Sequence, residues 1–137
     1  MELKCVMVIE ADMQTGLIAN TAAVLALTLG KKVEGIIGPT VKDGSGNLHT
    51  GITTTPIPIL KGNSLIIKEL RDKVYEDEFF DLLVVDFSNA AQTTKNYDEY
   101  TQKIAAYSAN DLEYLGLALY GDKKKVNKLT GSMGLLR

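Results

Sequence analysis

The sequence predicts an α/β fold, a three-layer α/β/α sandwich over a mixed, mostly parallel sheet of four to five strands. Three observations lead there. Two runs, "LKCVMVI" (3–9) and "DLLVVDF" (81–87), are apolar on both faces, as strands covered by helices must be. Segments with helical spacing alternate with the strands, which is the pattern of helices packed on a sheet. The chain has 137 residues, 45% hydrophobic and 23% charged, which suits a single domain over residues 1–137 with its own core.

The elements follow in order. After the strand 3–9, Thr15 is placed to cap a helix beginning near Gly16, and Gly30 to end it in a left-handed turn. Lys31 and Lys32 then complement the negative end of the helix dipole. Between the caps stand four alanines and no charged residue. A helix so lacking in polar residues has almost no solvent face, so a second layer or a partner subunit is expected to cover it.

"VEGIIGPTV" (33–41) reads as a strand interrupted at Gly38-Pro39, and "KDGSGN" (42–47) as a tight turn of a hairpin or excursion. In "TGITTTPIPIL" (50–60) the two prolines remove amide donors from one side only, which fits an edge strand. "NSLIIKELRDKVYE" (63–76) sets apolar residues at 65, 66, 70 and 74 against charges, a helix capped by Asn63 or Ser64. The strand 82–87 is expected beside 3–9, parallel and central. A polar loop, a helix from about Tyr97 to Tyr107, a strand at 112–121 and an Asp122-capped helix ending at Gly131 complete the chain.

Composition excludes several functions. A net charge of −2 gives no general attraction to nucleic acid or anionic membrane. No run approaches the roughly 18 apolar residues of a spanning helix, and "CVMVI" is too short for a signal-peptide core, so a cytoplasmic protein is expected. The lone Cys5 reads as a buried inert thiol, and with one histidine no structural zinc site and no metal or other cofactor is expected. The G-x-x-x-x-G-K-[ST], G-x-G-x-x-G and G-x-S-x-G signatures are absent.

Ligands of open α/β sheets sit beyond the carboxyl ends of the strands. That rule selects Asp12, Thr15 and Gly16 after the first strand, and Asp86, Asn89 and Gln92 around the end of the second. Asn20 lies in the first turns of the following helix. Two nearby carboxylates, Asp12 and Asp86, could perform acid–base work, and His49 could assist only by folding back over the rim. Thr53 and Thr54 offer hydroxyls to an anion or a peptide backbone, although threonine also simply favours strands.

"GLIANTAAVLALTLG", "GPTVKDGSGNLHTGITTTPIPIL", "LLVVDF", "NYDEY" and "NKLTG", in that order, resemble a bacterial family known only as a domain of unknown function. That family is grouped with the type II peptidyl-tRNA hydrolase fold, which the chain also resembles. The resemblance implies that fold. The hydrolases carry Gly-Lys-Ile-Ala-x-Gln-x-x-His at this helix, and only Gly16, Ile18 and Ala19 match it. Leu17, Thr21 and Val24 occupy the lysine, glutamine and histidine positions, while Asp86 matches the family's acid. The fold is therefore expected without the hydrolase chemistry.

The leading expectation is a domain that binds a small molecule or peptide at the strand carboxyl ends. A hydrolase or transferase using Asp86 with Asp12 or His49, and a homodimer or higher homo-oligomer packed through helix 16–29, are the alternatives.

Overall fold

The computed structural model covers Met1–Arg137. Strand β1 (Leu3–Glu10) leads to helix α1 (Thr15–Lys32). Two short strands, β2 (Val41–Lys42) and β3 (Leu48–His49), form a hairpin ahead of β4 (Ile59–Gly62) and α2 (Ser64–Lys73). Then come β5 (Leu83–Ser88), α3 (Asn89–Gln92), α4 (Tyr97–Ala105), β6 (Tyr114–Asp122) and α5 (Lys123–Thr130).

The main sheet has four strands in the order β4-β1-β6-β5. Alternation along β1 divides the core. Val6 and Val8 pack with Ile67 and Leu70 of α2 and Val126 and Leu129 of α5, whereas Cys5, Met7 and Ile9 pack with Leu25 and Leu29 of α1. The three layers are therefore α1, the sheet, and α2 with α5.

The sheet corrects two expectations. It is mixed but not mostly parallel: β1–β4 is parallel, while β1–β6 and β5–β6 are antiparallel. β5 is not central and does not touch β1, because β6 lies between them. Both errors have one cause. Helices on both faces make a strand apolar on both faces wherever it sits, and such a pattern carries no information about its edges.

The two edges differ. On β4 the C-terminal segment supplies an outer partner: Lys61 N–H donates to Gly134 C=O at 2.8 Å and Leu136 N–H to Ile59 C=O at 2.9 Å. Beyond β5 no segment hydrogen-bonds to the strand. The proline-bearing run does lead to an edge strand, but strand geometry begins only at Ile59, after Pro58 has accepted the Met7 N–H.

Several local expectations are replaced. Gln14, not Thr15, precedes α1, and no side chain caps it; the helix runs through Gly30 to Lys32, and the left-handed glycine is Gly35, at φ 79°. Residues 33–40 form no strand. Asn63 does cap α2, its side-chain oxygen accepting from Ile66 N–H at 2.8 Å, and Asp122 caps α5. Glu10 ties the first loop to α2, because its carboxylate accepts from both Asp12 N–H (3.1 Å) and Ser64 N–H (2.7 Å).

Helix α1 presses closely on the sheet at Gly116. A Cβ there would meet the Thr21 methyl at 2.5 Å, so glycine is what lets the helix descend onto β6. Only Thr21, Leu25 and Leu29 of α1 are buried. Its outer face, with Ala19, Asn20, Ala23 and Leu27, is bare.

Candidate functional site

Ile9 of β1 and Phe87 of β5 both pair with Gly116, so the carboxyl ends of these strands share one rim, two strand spacings or about 10 Å apart. The sequence-selected residues on this rim do not converge. Asp12 is exposed on the β1–α1 loop, and Thr15, Gly16 and Asn20 are exposed at the start of α1. Asn89 is used structurally: its backbone N–H donates to Glu113 C=O and its side-chain oxygen accepts from Glu113 N–H, closing the neck between β5 and β6. Gln92 faces solvent.

Asp86 is committed to an ion pair. Arg71 of α2 donates from Nε to its carboxylate at 3.0 Å, with both side chains about four-fifths buried (19% and 20% exposed). The guanidinium also lies over the Tyr75 ring, 4.6 Å from its centroid, which fixes its plane. Largely buried and paired, the aspartate anchors the outer strand to α2.

His49 and the threonines belong to a different region. The segment from Ile37 to Thr54 forms a protruding arm, and His49 Nε2 contacts the Asp43 carboxylate there at 2.7 Å. That contact, with amides of Asn47 and Ser45, holds the Asp43 carboxyl below its ordinary range. Thr53 and Thr54 hydroxyls donate to the Thr55 and Ile36 carbonyls, bracing the arm's base. Asp12, Asp86 and His49 share no hydrogen bond and no cavity, and no group of three or more His, Cys, Asp or Glu side chains is gathered as a metal site.

Several hollows mark the surface. The largest of these, about 830 Å³, is lined by residues of the arm alone. Two of about 480 Å³ lie around the amino terminus and Asp122. A smaller one, about 430 Å³, is built by four elements: Val24 and Thr28 of α1, residues 85–87 of β5, Ala91 of α3, and Tyr97 and Tyr100 of α4, with the loop before α4 closing one end. The smaller one is the candidate site, because it places side chains from distant parts of the sequence around the unpaired edge of β5.

Its chemistry is amphipathic. Val24, Val85 and Phe87 supply apolar wall, while Thr28, Thr94, Lys95 and Asn96 supply polar groups. Tyr97 and Tyr100 meet edge to face, with centroids 5.5 Å apart and planes at 74°, so each steadies the other. Burial, reinforced by the charge of Asp86, raises the Tyr100 hydroxyl above its ordinary pKa. Burial does the same to Tyr114, on β6 near the Arg71–Asp86 pair. Of this wall, sequence reasoning selected only Asp86. Val24 read as a core residue, and "TTKNY" carried no spacing that would aim it at β5.

The sequence matches, over residues 3–137, the family described as "Protein of unknown function (DUF2000)". The chain belongs to that family. Among solved structures it is similar to an Agrobacterium tumefaciens C58 protein of unknown function, Atu0240. The two are 21% identical with a TM-score of 0.87, over 98% of each chain. At that identity the likeness speaks for the fold. No curated protein matches the sequence. The family membership fits the resemblance seen in "GLIANTAAVLALTLG" and its companions, and no helix of the chain is long and apolar enough to cross a membrane.

Proposed function

We propose that this chain is a binding protein for a small molecule or a short extended peptide, held in the cleft between α1, β5 and α4. The observation that carries the reading is the bare edge of β5 on the cleft wall. Unpaired strand N–H and C=O groups are the natural partners of an extended backbone, and natural proteins normally cover them. The opposite edge of this sheet is covered by residues 134–136, so the bareness of β5 is selective. A volume of about 430 Å³ lies within the range of small-ligand pockets.

Under this reading the chain keeps a type II peptidyl-tRNA hydrolase-like architecture without its chemistry. Leu17 and Val24 can neither carry charge nor move a proton, and Val24 instead offers the ligand a methyl surface. Asp86 acts through Arg71 to hold the edge in place, and neither Asp12 nor His49 shares a hydrogen bond or a cavity with it. The protein works in the cytoplasm, on neither membrane nor nucleic acid, consistent with its net charge of −2.

The test is a thermal-shift screen of metabolites and short peptides, followed by Tyr100→Ala on every hit. Ligand at a hundredfold over its Kd contributes about 2.7 kcal/mol, which for a domain of this size raises Tm by about 10 °C. Hits that Tyr100→Ala abolishes support the cleft. Hits that it leaves unchanged refute it.

A further inference from the structure

Two surfaces of this molecule lack the cover that their composition demands. One is the outer face of α1, which between Gly16 and Gly30 carries no charge and exposes 78% of Leu27. The other is the arm. Its strands β2 and β3 pair only with each other; Gly38 N–H to Ile52 C=O closes the arm's own neck, and Thr54 N–H to Ile36 C=O ties that neck to the domain. Val41, Leu48 and Ile52 are 58%, 70% and 79% exposed, and all three line the arm's hollow of about 830 Å³. A two-stranded ribbon with apolar side chains in water is marginal on its own, and apolar surface of this kind marks a place of contact.

We propose that the arm of one copy of this chain clasps α1 of a second copy, and reciprocally, with Leu27 entering the partner arm's hollow. Size supports a second copy as the occupant. The arm and the outer face of α1 together offer about 20 residues a side, which is what a stable interface of standard size uses. Charge supports it as well. The helix face is neutral, and within the hollow the Asp43 carboxylate is matched to His49, which leaves Lys42 as the one unpaired charge on a lining that is otherwise uncharged. Topology adds a third argument. The arm leaves shortly after the carboxyl end of its own α1, and an arm-on-helix contact made reciprocally about a two-fold axis closes the assembly. A foreign partner would have to complement both surfaces at once, whereas the chain itself carries both halves. The interface uses residues outside the β5 cleft and stands apart from the ligand reading.

The test is light scattering on the purified chain at about 50 µM, beside Leu27→Glu and Leu48→Asp. Both side chains are exposed, so each variant should keep the far-UV spectrum of the parent fold. The expected result is a dimer for the parent chain, weakened tenfold or more by either substitution. A second measurement mixes Leu27→Cys with Leu48→Cys under mild oxidation. Buried Cys5 stays silent, and a mixed disulfide dimer should exceed both like-with-like products. A parent chain that is monomeric, a dimer that both substitutions leave intact, or like-with-like cross-links alone would overturn the clasp.

Discussion

Replacing Gly116 by alanine probes the contact on which the α1 layer rests. The added methyl would stand 2.5 Å from Thr21 Cγ2 and 3.2 Å from Leu25 Cδ1. Leu25 can yield by a few tenths of an ångström, because its methyl is the end of a flexible chain. Thr21 cannot, since its χ1 is fixed by a 2.7 Å hydrogen bond from its hydroxyl to Leu17 C=O. Either α1 lifts or the hydroxyl bond breaks. Overpacking of this kind costs about 1–3 kcal/mol, so about 2 kcal/mol is expected, a fall in Tm of about 8 °C. Thr21→Ser removes the clashing methyl and keeps the hydroxyl, at a cost of about 1 kcal/mol for the lost buried group. The double variant should therefore be no less stable than Gly116→Ala alone, a coupling of at least about 1 kcal/mol. Urea denaturation of the four proteins reads this directly. Additive effects, or a neutral Gly116→Ala, would refute the close approach of α1 to β6.

Other expectations follow from the same packing. Arg71→Met leaves the largely buried Asp86 carboxylate without its partner and should cost about 2 kcal/mol by denaturation, partly restored by adding Asp86→Asn; equal stability of the single and double variants would count against the anchoring role. Ser88 Oγ is buried without a hydrogen-bond partner, so Ser88→Ala should be neutral or stabilising by up to about 1 kcal/mol, and a clear loss would reveal a bond the structure does not contain. Burial raises the Cys5 thiol from 9.0 to about 11. The folded state then holds the proton that the unfolded chain releases, so this contribution is intact below pH 9 and is lost as pH rises toward 11. Cys5→Ala should flatten that alkaline decline, and thiol-reactive dye at pH 8 should label the parent chain only on unfolding.

Much of the fold was legible because its signals are local. The both-face apolar runs at 3–9 and 82–87, the Asn63 cap, the Asp122 cap and the charge-free helix each rest on neighbouring residues. Sheet order was not legible. β5 and β6 are antiparallel neighbours whose connection has been opened by α3 and α4, so a hairpin reads locally as strand, helix, strand and suggests a parallel crossover. The candidate site was harder still. Its groups come from α1, β5 and α4, and the partner that occupies Asp86 is Arg71, a residue that on its own helix looks like one charge among several. The uncovered helix is the instructive case. Its composition demanded a cover, and the chain's own layers do not provide one on the outer side.

The most direct measurement is a two-dimensional amide NMR titration with the ligands that stabilise the protein. If the β5 edge receives them, the amides of residues 85–87 and 94–100 should shift together and saturate with one affinity, with Val24 and Thr28 following. Shifts confined to the arm, residues 38–54, or scattered without saturation, would contradict binding at the β5 cleft.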